Sequence, residues 1–289
     1  MEKRILWTIS FALIFILWIK AGPFKSDAER SYKEEAPESR ESSQDAEEAT
    51  SNEKSYFKSH PIETSRPDFA AITDISERKN AFFDYLSPFV NEKNNLILKD
   101  RERLIALLNS SKKLSNKNRK WISSLRQDLK LKKLDNYSKE DIKVLLSRLD
   151  IIPVSLVLAQ AANESAWGTS RFATEGSNYF GQWCFRKGCG LVPESRDSDA
   201  DHEVRKFNDA RESVFAYIDN LNTNAAYKEL RAARAELRDN NEEITGLGLV
   251  HGLQRYSERG QAYVEEIEGL INYNKLWRFN RSQQTAEPQ

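Results

Sequence analysis

Apolar and polar positions change rhythm several times along the chain. From Ile5 to Ile19 the run is apolar, broken only by Thr8 and Ser10. From Ser26 to Lys54 there is no Leu, Ile, Val or Phe, and Tyr32 is the one aromatic. From about Phe69 apolar residues return at spacings of three and four: Ile72, Ile75, Phe82, Phe83 and Leu86, then Leu104, Ile105, Leu107 and Leu108. That spacing predicts amphipathic helices. Ser138-Lys-Glu-Asp141 reads as a helix N-cap with an acidic first turn. The helix it starts would bury Ile142, Leu145, Leu146 and Leu149. Asp150-Ile-Ile-Pro153 breaks it, and Pro153 suits the first position of a new helix running to Gly168. This next helix is apolar nearly all round and is expected to be central. Residues 183–193 and 202–207, with Val204 and Phe207 alternating against polar neighbours, predict a β-hairpin lobe.

The N-terminal run follows Lys3 and Arg4 and is closed by Lys20. As a helix it would span ~22 Å, against ~30 Å of hydrocarbon. Trp7 and Trp18 sit where interfacial aromatics belong, and Lys20-Ala-Gly-Pro23 makes a poor signal cleavage site. An uncleaved anchor at residues 1–24 is expected over a cleaved signal; either way the rest of the chain is exported. The stretch after it carries ten acidic and four basic residues between Ser26 and Lys54, a net charge of −6. It cannot bury enough to offset ordering its backbone, so a disordered acidic linker is expected over residues 25–60. A helical extension is expected over 61–139 and a disordered tail over 279–289.

Composition narrows the function. Lys+Arg and Asp+Glu are both 44 in 289 residues, so the chain is neutral overall and not a generally basic nucleic-acid binder. Charge is nevertheless segregated: Glu92 to Arg148 holds sixteen basic and seven acidic residues, mostly solvated helix faces or else a surface for an anionic polymer. Two cysteines and three scattered histidines offer no metal-ligand spacing, so no metal or cofactor is expected. Gly176 to Gly181 imitates the start of a phosphate loop, but Gln182 stands where the lysine must be.

Glu164 is the residue that does not fit simple packing. It lies four residues after Gln160 and three after Ala161, on a face of small residues at the end of the apolar helix. The helix dipole and burial both oppose its charge, which would raise its pKa. The alternative is a surface glutamate paired with Arg171.

Around it the residues resemble a family. Ala159-Gln-Ala-Ala-Asn-Glu164-Ser-Ala-Trp-Gly-Thr-Ser-Arg-Phe-Ala173 with Asn178-Tyr-Phe-Gly181 is similar to the bacterial glucosaminidase domain of glycoside hydrolase family 73, most closely its Bax branch. The likeness continues through Trp183-Cys-Phe-Arg-Lys-Gly-Cys-Gly190, Phe215 to Tyr227, and Arg255-Tyr-Ser-Glu-Arg-Gly-Gln-Ala-Tyr263, covering about residues 140–278. It implies an α+β, mostly helical, lysozyme-like domain with a small hairpin lobe across a groove. It also implies cleavage after N-acetylglucosamine in peptidoglycan, with Glu164 as general acid and Tyr256 assisting. Gln160, Trp167, Asn178, Tyr179, Phe180, Trp183 and Tyr263 are the expected substrate contacts, the aromatics offering flat faces to pyranose rings.

A second catalytic group is less defined. Glu203 on the second hairpin strand is a candidate base, Glu194 in the connection a weaker one, and Glu258 beside Tyr256 another nearby acid. Relatives rely on one indispensable Glu, which leaves the substrate's own 2-acetamido group as a possible nucleophile. Cys184 and Cys189 flank Gly188, and in an exported chain they are expected to form a disulfide closing the lobe. The expected partners are peptidoglycan strands and the inner membrane, with the domain on its periplasmic face, no nucleic acid, and no protein partner revealed. A lytic transglycosylase and an inactive wall-binding or scaffolding module remain the alternatives.

Overall fold

A computed structural model describes residues 50–193 and 202–280. Helix α1 (Ser51–Ser59) is followed by the long α2 (Ile75–Asn109), then α3 (Asn116–Asp128) and α4 (Lys139–Arg148). Next come the central α5 (Val154–Glu164) and the short α6 (Arg171–Gly176). Strands β1 (Trp183–Cys184), β2 (Gly190–Leu191) and β3 (Glu203–Arg205) form the lobe. The remaining helices are α7 (Ala210–Thr223), α8 (Lys228–Asp239), α9 (Gly246–Leu249) and α10 (Gln261–Tyr273). The chain is mostly helical with one small antiparallel sheet, as the periodicity predicts. No helix among the described residues is long and apolar enough to cross a membrane. The anchor expected over residues 1–24 lies outside the described residues, as do Glu194 and most of the expected linker and tail.

Helix ends follow local chemistry. Ser138 caps α4, accepting from Asp141 N while the Asp141 carboxylate accepts from Ser138 N at 2.9 Å. Pro153 is the N-cap of α5 rather than its first residue, and α5 stops at Glu164, one turn before the expected Gly168. The reason is the turn that follows: Ala166, Trp167 and Gly168 have φ of 48°, 59° and 77°, in the left-handed region. A Cβ at Gly168 would lie 2.5 Å from the Phe69 ring, so glycine is needed both for conformation and for space. Ser165 holds the turn, donating its hydroxyl to Ala161 O and accepting from Gly168 N.

Helix α5 is buried along almost its whole length. Phe82, Phe83, Leu86 and Val90 of α2 belong to the same core as Leu156, Val157 and Leu158 of α5, Val214 and Ile218 of α7, and Val264 and Ile267 of α10. A polar knot anchors the approach to α5. Buried Asp150 pairs with Arg101 of α2 at 3.3 Å and receives two hydrogen bonds from Arg238 of α8 at 3.0 and 3.1 Å. Fully buried Arg234 donates to Asp150 O, Ile151 O and Asn222 Oδ1. Burial alone would raise the Asp150 pKa, but these guanidinium groups lower it below the usual carboxylate value.

Residues 50–59 correct the expectation of a linker reaching residue 60. Thr50 and Glu53 make a reciprocal capping box, and α1 then docks on α7. Phe57 meets Phe215 edge-on at 5.1 Å, Tyr56 donates to Glu92, and Arg211 donates to His60 O at 2.6 Å. Beneath them Lys93 of α2 binds Glu53 at 2.6 Å and Asp219 of α7 at 2.7 Å. The composition averaged over 26–54 hid this short helix. Likewise Phe279 and Asn280, expected in the tail, are packed: Asn280 Oδ1 accepts from Ser155 N at 3.0 Å.

The lobe is more than a hairpin. Its strand order is β1-β3-β2, with Trp183 opposite Val204 and Gly190 opposite Arg205. The segment expected as one strand bends back on itself between β1 and β2, closed by a Cys184–Cys189 disulfide. Gly190 permits this pairing, because a Cβ there would fall 2.0 Å from Val204 O.

Candidate active site

Glu164 is the last residue of α5, and only 8% of its surface is exposed. Its Oε1 accepts from the Tyr263 hydroxyl at 2.9 Å and, more distantly, from Asn163 Nδ2 at 3.5 Å. Tyr263 on α10 in turn accepts from Gln160 Nε2 at 2.7 Å, one turn back along α5. Gln160 Oε1 accepts from Tyr217 of α7. The chain runs Tyr217, Gln160, Tyr263, Glu164, every donor pointing towards the carboxylate. Burial first, then the Glu164 charge, pushes the Tyr263 phenol well above its ordinary range; burial, Tyr227 and Glu164 do the same to Tyr217. Both hydroxyls therefore stay protonated and able to donate.

Tyrosine rings wall this carboxylate. Tyr256 stacks on Tyr263, centroids 5.4 Å apart and planes 8° apart, and donates its hydroxyl to Phe180 O at 3.0 Å. Tyr217 stacks on Phe180 at 3.9 Å. Buried Tyr227 also feels the Glu164 charge, after the larger effect of its own burial. Tyr256 is half-buried, whereas Tyr217, Tyr227 and Tyr263 are buried. The structure thus brings Glu164, Gln160, Tyr263, Tyr256 and Phe180 together.

Several expected substrate contacts have other work. Gln160 and Tyr263 are fully buried and spend their polar atoms on the chain just described. Asn178 is also buried: its Nδ2 donates to Gln182 O and Arg205 O, and its Oδ1 accepts from Phe180 N and Gln182 N. It staples the turn before β1 to β3. Tyr179 lies in the core against Phe82 and Tyr85, and Phe180 has one face covered by Tyr217. Buried rings have no face to offer a sugar. Trp167, half-buried, packs on Phe82 and Phe83, with Lys79 Nζ 4.7 Å from its centroid. Trp183 is the expected contact on the lobe: half-buried, stacked on His202 at 4.1 Å, and lining a cleft of about 170 Å³ with Arg205, Phe207, Asn220 and Asn224.

Glu203, the candidate base, is buried in the lobe. Its two oxygens accept from Gly188 N at 2.9 Å and Gly190 N at 2.8 Å, on the loop that the disulfide closes. The cysteine sulfurs and this carboxylate lie within 4.8 Å of one another, but the disulfide removes the thiolates a metal would need. Glu258 is exposed on the turn after Tyr256, and Arg171 donates to Val192 O and approaches Glu175 at 3.8 Å. Tyr217 and Tyr227 are the wall residues that sequence reasoning left unassigned. Both sit inside the Phe215–Tyr227 motif, where a tyrosine on an apolar helix face reads as ordinary core.

Residues 139–276, which hold α4 to α10 and the lobe, match the family model described as Glucosaminidase, mannosyl-glycoprotein endo-beta-N-acetylglucosaminidase. Over 225 residues the chain is 32% identical to Protein bax of Escherichia coli (strain K12), covering 78% of this chain and 80% of that one. The chain belongs to the Bax-type glucosaminidase-domain proteins. No solved structure matches it. Glu164 lies inside the matched region, at the end of its central helix.

Proposed function

We propose that this chain is a peptidoglycan hydrolase, an N-acetylglucosaminidase that cleaves the β-1,4 bond after N-acetylglucosamine with Glu164 as general acid. The observation that carries this reading is the setting of Glu164: 8% exposed, one oxygen held by Tyr263, and tyrosines around it. Burial favours the protonated form of this carboxyl against the opposing pull of the Tyr263 hydrogen bond, and so suits it to keep a proton for a leaving group. Glu164 gives that proton to the glycosidic oxygen as the bond from C1 to that oxygen breaks. With both Glu203 oxygens engaged by backbone N–H groups, the substrate's acetamido oxygen is the better nucleophile at C1. Water then opens the resulting oxazolinium ring, and the Glu164 carboxylate takes the proton from that water. Half-buried Tyr256 stacks on Tyr263, the phenol that donates to the acid, and can contact substrate.

In the same reading the Ile5–Ile19 run, behind Lys3 and Arg4, delivers the domain to the periplasmic face of the inner membrane. The test is digestion of purified cell wall by the full-length protein, with product ends identified by mass spectrometry. New N-acetylglucosamine reducing ends are expected. Anhydro ends would make the enzyme a transglycosylase, and intact wall would leave a binding module.

A further inference from the structure

The hydrogen-bond chain behind Glu164 has a direction, and the direction distinguishes the two oxygens of the acid. Tyr217 donates to Gln160 Oε1, so the amide is oriented with its Nε2 towards Tyr263. That N–H occupies the Tyr263 oxygen, and the Tyr263 hydrogen is left pointing at Glu164 Oε1. Reversing any link would turn the amide around and set its oxygen against Tyr263. The amide cannot do so cheaply: Gln160 and Tyr263 are fully buried, and Phe180 and Tyr256 lie flat against the two tyrosines.

We propose that Gln160 and Tyr263 are positioning residues that commit Oε1 of Glu164 to accepting, so that the proton delivered to substrate resides on Oε2. This inference rests on Glu164 being the acid of the proposed reaction. It replaces the substrate-contact role expected for Gln160 and Tyr263 with one exerted through Glu164. The titratable groups whose charge interactions with Glu164 emerge from the packing are Tyr217 on α7, Tyr227 after it, and Tyr263 on α10, with Tyr256 facing Tyr263. A hydrogen bond donated to a carboxylate favours its charged form. Losing the Tyr263 hydroxyl must therefore make Glu164 hold its proton to higher pH.

The test is a pH titration of the Glu164 side-chain carbon by NMR in the full-length chain with 13C-labelled glutamate, the signal assigned by its loss in Glu164→Gln. Tyr263→Phe keeps the ring stack and removes only the donor; the midpoint is expected to rise by about one unit, as loss of a hydrogen bond to a charged group implies. Gln160→Glu keeps the shape but offers Tyr263 an acceptor, drawing its hydrogen away, and is expected to raise the midpoint as well. Cell-wall cleavage should show the alkaline limb of its pH profile moving the same way, with kcat reduced more than KM is raised. An unmoved midpoint in Tyr263→Phe overturns the proposal; if that variant does not fold, an unmoved midpoint in Gln160→Glu does so. The titration needs no turnover, so it separates this inference from the functional one. Glu164→Gln retaining wild-type cleavage would sink the assignment of the acid, whereas an unshifted titration beside an inactive Glu164→Gln sinks the positioning role alone.

Discussion

Two buried carboxylates, Glu164 and Glu203, differ in what their oxygens touch. Tyrosine and amide side chains address Glu164, while backbone N–H groups consume both oxygens of Glu203. Glu164→Gln preserves shape but cannot release a proton, so cell-wall cleavage is expected to fall ~10²–10⁴-fold with the melting temperature nearly unchanged. Reducing-end release measured beside a thermal melt checks both halves. Glu203→Gln should behave in the opposite way. One of its two acceptor oxygens is lost, and the new amide N–H faces a glycine N–H on a partly exposed loop, a loss of about 1 kcal/mol. The melt should drop while the rate per folded molecule stays within a few-fold of wild type; a collapse in rate at full folding would restore Glu203 as a second catalytic group. At this scale the burial of Glu164 was legible because a Glu inside an apolar helix violates the pattern around it. The fates of Asn178, Tyr179 and Gln160 were not. An amide or phenol needed in a groove and one needed to staple a buried turn have the same residue type, and only three-dimensional partners tell them apart.

Among elements, the helices of the central layer followed directly from spacing and caps, as with Ser138 and the α5 run. What escaped were joints made by single side chains. Asp150 links α2, α8 and the start of α5, and truncating one member of a buried ion network leaves its charges unpaired. Asp150→Ala is expected to cost about 3–5 kcal/mol, read from denaturant unfolding. The joint between α1 and α7 gives a pH signature. Burial and the Glu53 carboxylate push Asp219 up to about 7, against the pull of Lys93. Glu53 goes the other way: burial would raise it, but Lys93 brings it below its ordinary value. A carboxyl raised on folding contributes stability that is present below its ordinary pKa and lost as pH climbs through the folded value. The Asp219 contribution thus fades between about pH 4 and 7, while that of Glu53 is lost only as pH falls through its lowered pKa. Asp219→Asn keeps the Glu53–Lys93 pair and removes the surplus charge. Its melting temperature relative to wild type should improve between pH 5 and pH 8, and a constant difference would count against the shared lysine as the cause.

In the molecule as a whole, the region matched to the glucosaminidase family begins at residue 139, yet its core does not. Phe82, Phe83, Leu86, Val90 and Leu104 of α2 complete the packing that includes α5. Uncovering five such side chains forfeits about 1.5–3 kcal/mol each, comparable to the ~5–15 kcal/mol that holds a domain folded. A chain cut to residues 139–289 is therefore expected to lack a cooperative unfolding transition by circular dichroism. Periodicity announced the helical stripe of α2 but could not show that it closes the same core as α5, since a helical stripe names no partner. The lobe carries one more consequence, for how the protein matures. Glu203 grips Gly188 and Gly190 through their N–H groups, on either side of Cys189, while β3 pairs with β1 and so fixes Cys184. The carboxylate therefore draws the two sulfurs together by contacts that do not depend on their bond. With two cysteines in the whole sequence, one intramolecular bridge is possible. A single oxidation step is then enough to close it, and there is no wrong pairing within the chain for a disulfide-shuffling enzyme to undo.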